Sequence, residues 1–450
     1  MAMQLTADER AMADGRDGPA VARAMDLLLR YGRALGAERL VETRNVVASV
    51  SATTPFMREF ARREGAMSAH GRSEALIPER AARRVVDMDA VYSQFSLDSD
   101  EVVPIPHVRT RAMHTQLGFA PDSAAQMGVD GATVQFYRQG EAFTRARGIE
   151  SANTCTPYQV GNEPAFGEHC AWMESSAVIY CNSVFGARTN TEGRESVGAA
   201  MLTARIPYWG YHLDENRRGT HRVVLDVALD SNADWGLFGY WLGDLVQERV
   251  PVVEGVRAKP DLERLKHFGA AASSSGGVEL YHLVGITPEA PTADAAFGGR
   301  APIDTLVYGA AERRATHDRI NATASDTRVD YVMLGCPHYT LAQLRDAARL
   351  LAGRRVHADC ALWIFTPRAI KAQADAEGTT ATIEAAGAHV MTDSCSAMSR
   401  AAPTGTRVVA LDSAKQAHYL PAILGVQAWF GSTADCIEAA CSGRWTGACR

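Results

Sequence analysis

Apolar runs of strand length alternate with helical periodicity most regularly in the last third of the chain. Tyr331–Leu334 is a continuous apolar run, as expected of a strand buried on both faces. A helix follows from Thr340, with Leu341, Leu344, Ala348 and Leu351 on one side. Residues 362–365 form the next strand, with Thr366-Pro367 as cap and first-turn proline of a second helix. Residues 389–391 make a third strand, turning at Asp393-Ser394-Cys395. Residues 408–411 make a fourth, which ends at Asp412-Ser413 before a helix at 415–419. This alternation predicts a parallel sheet covered on both faces. Ligands of such sheets collect beyond the carboxyl ends of the strands, which puts Cys336, Cys395 and Ser413 on one functional edge.

Upstream the pattern is less regular. Asp17-Gly18-Pro19 starts a helix over 17–36 with Val21, Met25, Leu28 and Leu29 on one face. Over 41–110, arginine-rich helical stretches such as 58–63 and 79–84 alternate with short apolar pieces to which no chemistry is assigned. Residues 111–150 read as loop, strand and helix. A helix over 198–205 is broken by Pro207, and a strand lies at 223–228. Residues 229–270 are partly helical, with Trp235, Trp241 and Leu242 in the core. The run AASSSGG at 271–277 reads as a flexible joint, and 290–300 as a loop. Approximate lobes are 1–205, 206–320 and 321–450.

The totals narrow the function class. A chain of 450 residues holds about three units of ~150 residues. A net charge of −6, with basic residues scattered rather than striped, argues against nucleic acid or an anionic membrane as the main partner. The first 20 residues lack the apolar core of a signal peptide, and no apolar run approaches the ~18 residues of a membrane span. The chain reads as cytoplasmic. Nine cysteines, an odd number without a CxxC pair, fit reduced thiols, so any metal site draws on distant cysteines.

Residues 161–193, GNEPAFGEHCAWMESSAVIYCNSVFGARTNTEG, combine many hydrogen-bonding side chains with small and apolar ones. Buried without partners, each polar group would cost about 1–3 kcal/mol. The stretch therefore reads as a helix and exit loop lining a polar cavity, or as a satisfied network inside a large core. Cys170, Cys181 and Cys360 read as buried hydrophobes, and Cys436, Cys441 and Cys449 as structural or solvated. Cys155, Cys336 and Cys395 differ, since each sits in a turn beside Pro, Gly, Ser or Thr. Loop thiolates among backbone N–H groups and small hydroxyls suit iron–sulfur ligation.

The 161–193 stretch, together with YHLDENR, LGCPHYTL, DSCSAM and SAKQAHYLP, resembles the catalytic part of aconitase X, a hydro-lyase branch of the aconitase superfamily. The resemblance runs from about residue 150 to the end, the N-terminal helix fits the family's usual opening, and residues 45–125 carry little of it. It implies an aconitase-like, multi-lobed, three-layer α/β/α fold with mostly parallel sheets, lacking the swivel domain. It also implies that Cys155, Cys336 and Cys395 hold an iron–sulfur cluster with one iron open as a Lewis acid. The implied reaction is dehydration of a small hydroxy acid. Arg188 and Lys415 are candidates to bind its carboxylate, with Asn182 and Asn190 as further contacts and Ser175 and Ser176 as donors. Glu168, His169, Asp214 and Glu215 are candidates for proton transfer, Asp214 and Glu215 also fitting a capped, solvated turn. His338 and His418 read as groups that satisfy core polar atoms.

In the family the swivelling domain is fused or a separate small subunit, and this chain has no spare segment of that size. A small swivel-domain partner is therefore expected. Of the family's two substrates, cis-3-hydroxy-L-proline is preferred over mevalonate 5-phosphate, because no Gly-rich loop with Lys and no Arg cluster near the site motifs offers a phosphate cradle. Two other classes fit the same residues: a non-catalytic iron sensor or scaffold on this fold, and a zinc hydrolase with Cys and His ligands.

Overall fold

The structure, a computed structural model, describes residues 3–49, 88–91 and 103–449. The stretches at 58–63 and 79–84 lie outside the described residues. The chain forms two compact units and passes from one to the other five times. The first unit is Met1–Ser151, Gly167–Glu174 and Arg188–Asn216; the second is Ala152–Phe166, Ser175–Ala187 and Arg217–Arg450.

In the first unit, β1 (Leu40–Glu42) pairs antiparallel with β6 (Arg205–Pro207). Strands β2 (Asn45–Ala48), β3 (Arg111–His114), β4 (Ile149–Glu150) and β5 (Cys170–Trp172) form a parallel sheet in the order β4-β3-β2-β5. Helix α1 (Pro19–Ala34) starts where the sequence places it, with Gly18 as cap and Pro19 in the first turn. Its apolar face, Val21, Met25 and Leu28, shares one core with Val46 of β2 and with Val197 and Leu202 of α2 (Arg194–Thr203). Pro207 does not break α2, which already ends at Ala204 in the left-handed region. It lies in β6 opposite Leu40, in a two-stranded ladder where a missing N–H is tolerated.

The second unit holds two parallel sheets. Strands β7 (His221–Leu225), β8 (Pro251–Glu254), β9 (His282–Leu283) and β10 (Asp304–Tyr308) run in the order β10-β7-β8-β9. Helices α3 (Asn232–Val246) and α4 (Leu262–Gly276) follow β7 and β8. Trp235 and Leu242 are buried, whereas Trp241 is only half-buried. The expected joint AASSSGG is instead the C-terminal half of α4. Its small residues let two helix backbones touch: a Cβ on Gly243 would lie 2.3 Å from the Ala272 carbonyl oxygen, and one on Gly276 would lie 1.8 Å from that of Gly243. The loop expected at 290–300 contains a short helix, Ala293–Phe297, capped by Thr292.

The C-terminal sheet contains β11 (Tyr331–Leu334), β12 (Ala361–Thr366), β13 (His389–Thr392), β14 (Val408–Leu411) and an additional edge strand, β15 (Gln427–Phe430). The order is β13-β12-β11-β14-β15, all parallel. The direction of winding reverses between β11 and β14, the place where doubly wound sheets bind ligands. Helix α5 (Leu341–Leu351) follows β11, and α6 (Ala414–Leu424) follows β14. The cap of the helix after β12 is Pro367 itself. The Thr366 hydroxyl donates instead to the Tyr339 carbonyl at 2.8 Å.

Candidate functional site

Cys336 and Cys395 leave the carboxyl ends of β11 and β13 as the topology predicts, and Ser413 follows β14. Ser413 does not join them as a ligand: it caps α6, accepting from the Gln416 amide at 3.3 Å. Cys155 comes from a separate loop of the second unit. Gly335 brings the Cys336 turn against β12. Its φ is +92°, and a Cβ there would lie 2.1 Å from the Phe365 carbonyl oxygen, so the position requires glycine.

One imidazole ties the three cysteine loops together. The His338 amide donates to Cys155 Sγ at 3.4 Å. Its Nδ1 lies 2.9 Å from Thr154 Oγ1, and its Nε2 lies 2.9 Å from the carbonyl oxygen of Ser394. Thr154 precedes Cys155, and Ser394 precedes Cys395. A second bracket is Gln416 of α6, whose Nε2 is 3.0 Å from Cys336 Sγ and 3.9 Å from Cys395 Sγ. Asp393, at φ +71° in the turn before Cys395, is buried and held by Arg368 at 2.5 Å. The three cysteines are 5–6% exposed, unlike Cys170, Cys181 and Cys436 at 0%.

This donor set fits an iron–sulfur cluster. Three thiols lie in one buried neighbourhood, with an amide N–H and a carboxamide directed at sulfur. A zinc ion held by Cys and His fits less well. Both nitrogens of His338 are taken, and among the described residues no three His, Cys, Asp or Glu side chains close on one ion.

Beside the cysteine loops lies Lys266 of α4, 1% exposed. Its Nζ donates to the His338 carbonyl at 2.6 Å and to Gln343 Oε1 at 2.5 Å. Burial pulls its pKa down to about 8, against the opposing pull of Glu263 and Cys155. His267 is buried with it and is driven down to about 3, first by burial and then by Lys266, so it is neutral at pH 7. Burial pushes the Asp412 carboxyl up, although Tyr339 and Thr433 donate to it. Gln343, Asp412 and Glu263 also line a cleft of about 250 Å³.

The other candidates divide between the units. In the second unit, Lys415 Nζ is 3.4 Å from Ser175 Oγ, and both side chains are half-buried. Ser176 is buried in the helix Ser175–Tyr180, which continues as a π-helical turn, Cys181–Phe185. Asn182 in that turn is fully buried and committed to protein groups. It donates to the Glu279 carbonyl at 3.0 Å and accepts from Arg217 at 3.3 Å, and Arg217 is paired with Glu289 at 2.6 Å. Asn182 thus belongs to a core network, and its role as a substrate contact stays a proposal.

In the first unit, His169 and Arg188 form a bridge between Glu168–Cys170 and 188–190. Arg188 therefore sits in an extended bridge. It donates to the His212 carbonyl at 2.9 Å and pairs with Asp214. His169 Nδ1 faces His212 Nδ1 at 2.9 Å, so one ring donates while the other accepts. Asn190 Oδ1 accepts from the Tyr211 amide at 2.8 Å and its Nδ2 donates to the Trp209 carbonyl at 3.3 Å, a bracket for the 209–216 turns. Asp214 and Glu215 are exposed in one of those turns, the solvated alternative. His418 faces Tyr240 at 2.9 Å at the surface rather than in the core.

Comparison with known proteins covers nearly the whole chain. Family models described as the aconitase X first, second and third domains match residues 2–215, 219–318 and 329–442, so the likeness extends through 45–125. The phosphomevalonate dehydratase large subunit of Methanocaldococcus jannaschii is 32% identical over 97% of this chain and 100% of its own length. The cis-3-hydroxy-L-proline dehydratase of Pseudomonas aeruginosa is 40% identical over 66% of this chain, a match spanning 52% of that longer protein. Among solved structures, holo-form aconitase X of Thermococcus kodakaraensis superposes with a TM-score of 0.75 at 28% identity, covering 97% of this chain and 100% of that one. The first two of these relatives are named dehydratases, and the chain belongs to the aconitase X family.

Proposed function

We propose that the chain is the large subunit of an iron–sulfur-dependent dehydratase of a small hydroxylated carboxylic acid. The observation that carries this reading is the joining of the Cys155, Cys336 and Cys395 loops through His338 at the carboxyl edge of the sheet. When bound, a cluster held by those thiolates would supply an open iron as Lewis acid for the departing hydroxyl. Gln416 and the His338 amide orient the sulfurs by hydrogen bonding. Lys415, steadied by Ser175, offers a cation to the substrate carboxylate as charge builds during proton removal. Ser176, Glu168, His169, Arg188, Asn190, Asp214 and Glu215 keep their proposed status, each to be tested by substitution.

Cis-3-hydroxy-L-proline is the preferred substrate. Sequence identity to its dehydratases is 40% and 37%, against 27–35% for the phosphomevalonate enzymes, and the site motifs carry no Gly-rich loop with Lys. Full coverage of the phosphomevalonate large subunits favours the second reading, dehydration of that phosphorylated acid. Relatives named large subunits support a separate small partner.

Co-expression with a swivel-type small subunit, anaerobic purification and assay on both acids tests the reading. Bound iron, acid-labile sulfide and visible absorption are expected, with turnover of hydroxyproline. Cys155→Ser abolishes the absorption. Lys415→Met keeps it and lowers kcat/KM by roughly 10²–10³-fold. A colourless wild-type protein containing zinc would sink the proposal.

A further inference from the structure

Lys266 poses an electrostatic problem that its immediate neighbours do not solve. The residue is 1% exposed, and the two hydrogen-bond partners of its ammonium, the His338 carbonyl and the Gln343 carboxamide, are neutral. A buried cation without a paired anion costs several kcal/mol. Two of the acidic groups that act on it are carboxylates. Glu263 accepts from Thr340 Oγ1 at 2.5 Å and opens to the cleft, and Asp412 is tied to Tyr339 and Thr433. The other two are Cys155 and Cys336. The carbonyl that Lys266 grips belongs to the residue joining all three cysteine loops.

We infer that Lys266 is the built-in counter-charge of the cysteine site. It is a positioning residue that holds the Cys336–His338 turn by its carbonyl and biases the bound cluster toward its more reduced, more negative state. The inference rests on the cluster reading above. It accounts for an ammonium placed among neutral partners, because the compensating negative charge arrives with the thiolate-held group. Gln343 has a defined part in it, as a neutral spacer that orients Lys266 without cancelling its field.

The test is a redox titration of the two-subunit holoenzyme, followed by visible absorption and electron paramagnetic resonance. At the potential where the wild-type cluster is half reduced, Lys266→Met lowers the reduced-to-oxidised ratio at least tenfold, about 59 mV for a one-electron couple. Gln343→Glu moves it the same way with Lys266 in place, because Glu serves equally at the third position of the helix cap while pairing with the ammonium. Lys266→Arg restores the wild-type midpoint. In the cluster-free protein the sign reverses, and Lys266→Met raises Tm by removing an uncompensated charge. An unchanged midpoint in loaded Lys266→Met overturns the inference and leaves the cluster reading intact. If that variant fails to load, an unchanged or raised midpoint in Gln343→Glu does the same. A wild-type protein without iron and sulfide overturns both.

Discussion

Gly335 shows how one backbone position governs the cysteine edge. Gly335→Ala forces a Cβ onto the Phe365 carbonyl and a side chain into the left-handed region. It is expected to cost more than about 1 kcal/mol in urea unfolding and to impair cluster loading. Arg217→Met strands buried Asn182 and half-buried Glu289, with an expected loss of about 3 kcal/mol in the same measurement. His267 gives a pH signature. Its folded pKa, about 3, lies below the ordinary 6.5, so between those values the unfolded chain binds a proton that the native chain does not. Stability therefore rises with pH across that window and is lost on acidification. His267→Gln flattens this part of a stability–pH curve. The three loop cysteines were legible because a thiol beside Pro, Gly and Ser cannot be a packed helix residue. Gln416 and Lys266 were not, because a lone polar residue on an apolar helix reads the same whether it reaches a sulfur or the solvent.

Among the elements, apolar runs disclosed β11, β12, β13 and β14, whose residues are buried on both faces apart from Ala361 and His389 at the strand starts. The edge strand β15 went unseen, because alternate residues of Gln427–Phe430 stay partly exposed and the run has no continuous apolar signature. The α3–α4 pair was misread for the opposite reason. Ala, Ser and Gly in succession signal flexibility in isolation, yet in α4 they are what allows helix backbones to touch. Gly243→Ala is expected to separate that pair and cost about 1–3 kcal/mol, measured as a fall in denaturation midpoint without a change in m. The 161–193 stretch was legible as unusual but not as divided. Its parts fall in both units, and periodicity carries no information about which body a turn joins.

At the scale of the molecule, the alternation of strand and helix gave the fold class, and long motifs gave the family. The roles of single polar residues are less legible, because Asn182 and Asn190 look the same in sequence whether they bind a ligand or a carbonyl. The threading of the chain has a practical corollary. Four of the five crossings between the units separate Cys155 from the 217–450 segment, whereas Cys336 and Cys395 lie within that segment. The C-terminal 234 residues, an attractive cassette on a gene map, would thus carry two of the three sulfurs and lack the 175–187 helix. Given iron and sulfide anaerobically, such a fragment is expected to stay pale where the intact chain turns brown, because a cut at that seam parts Cys155 from Cys336 and Cys395.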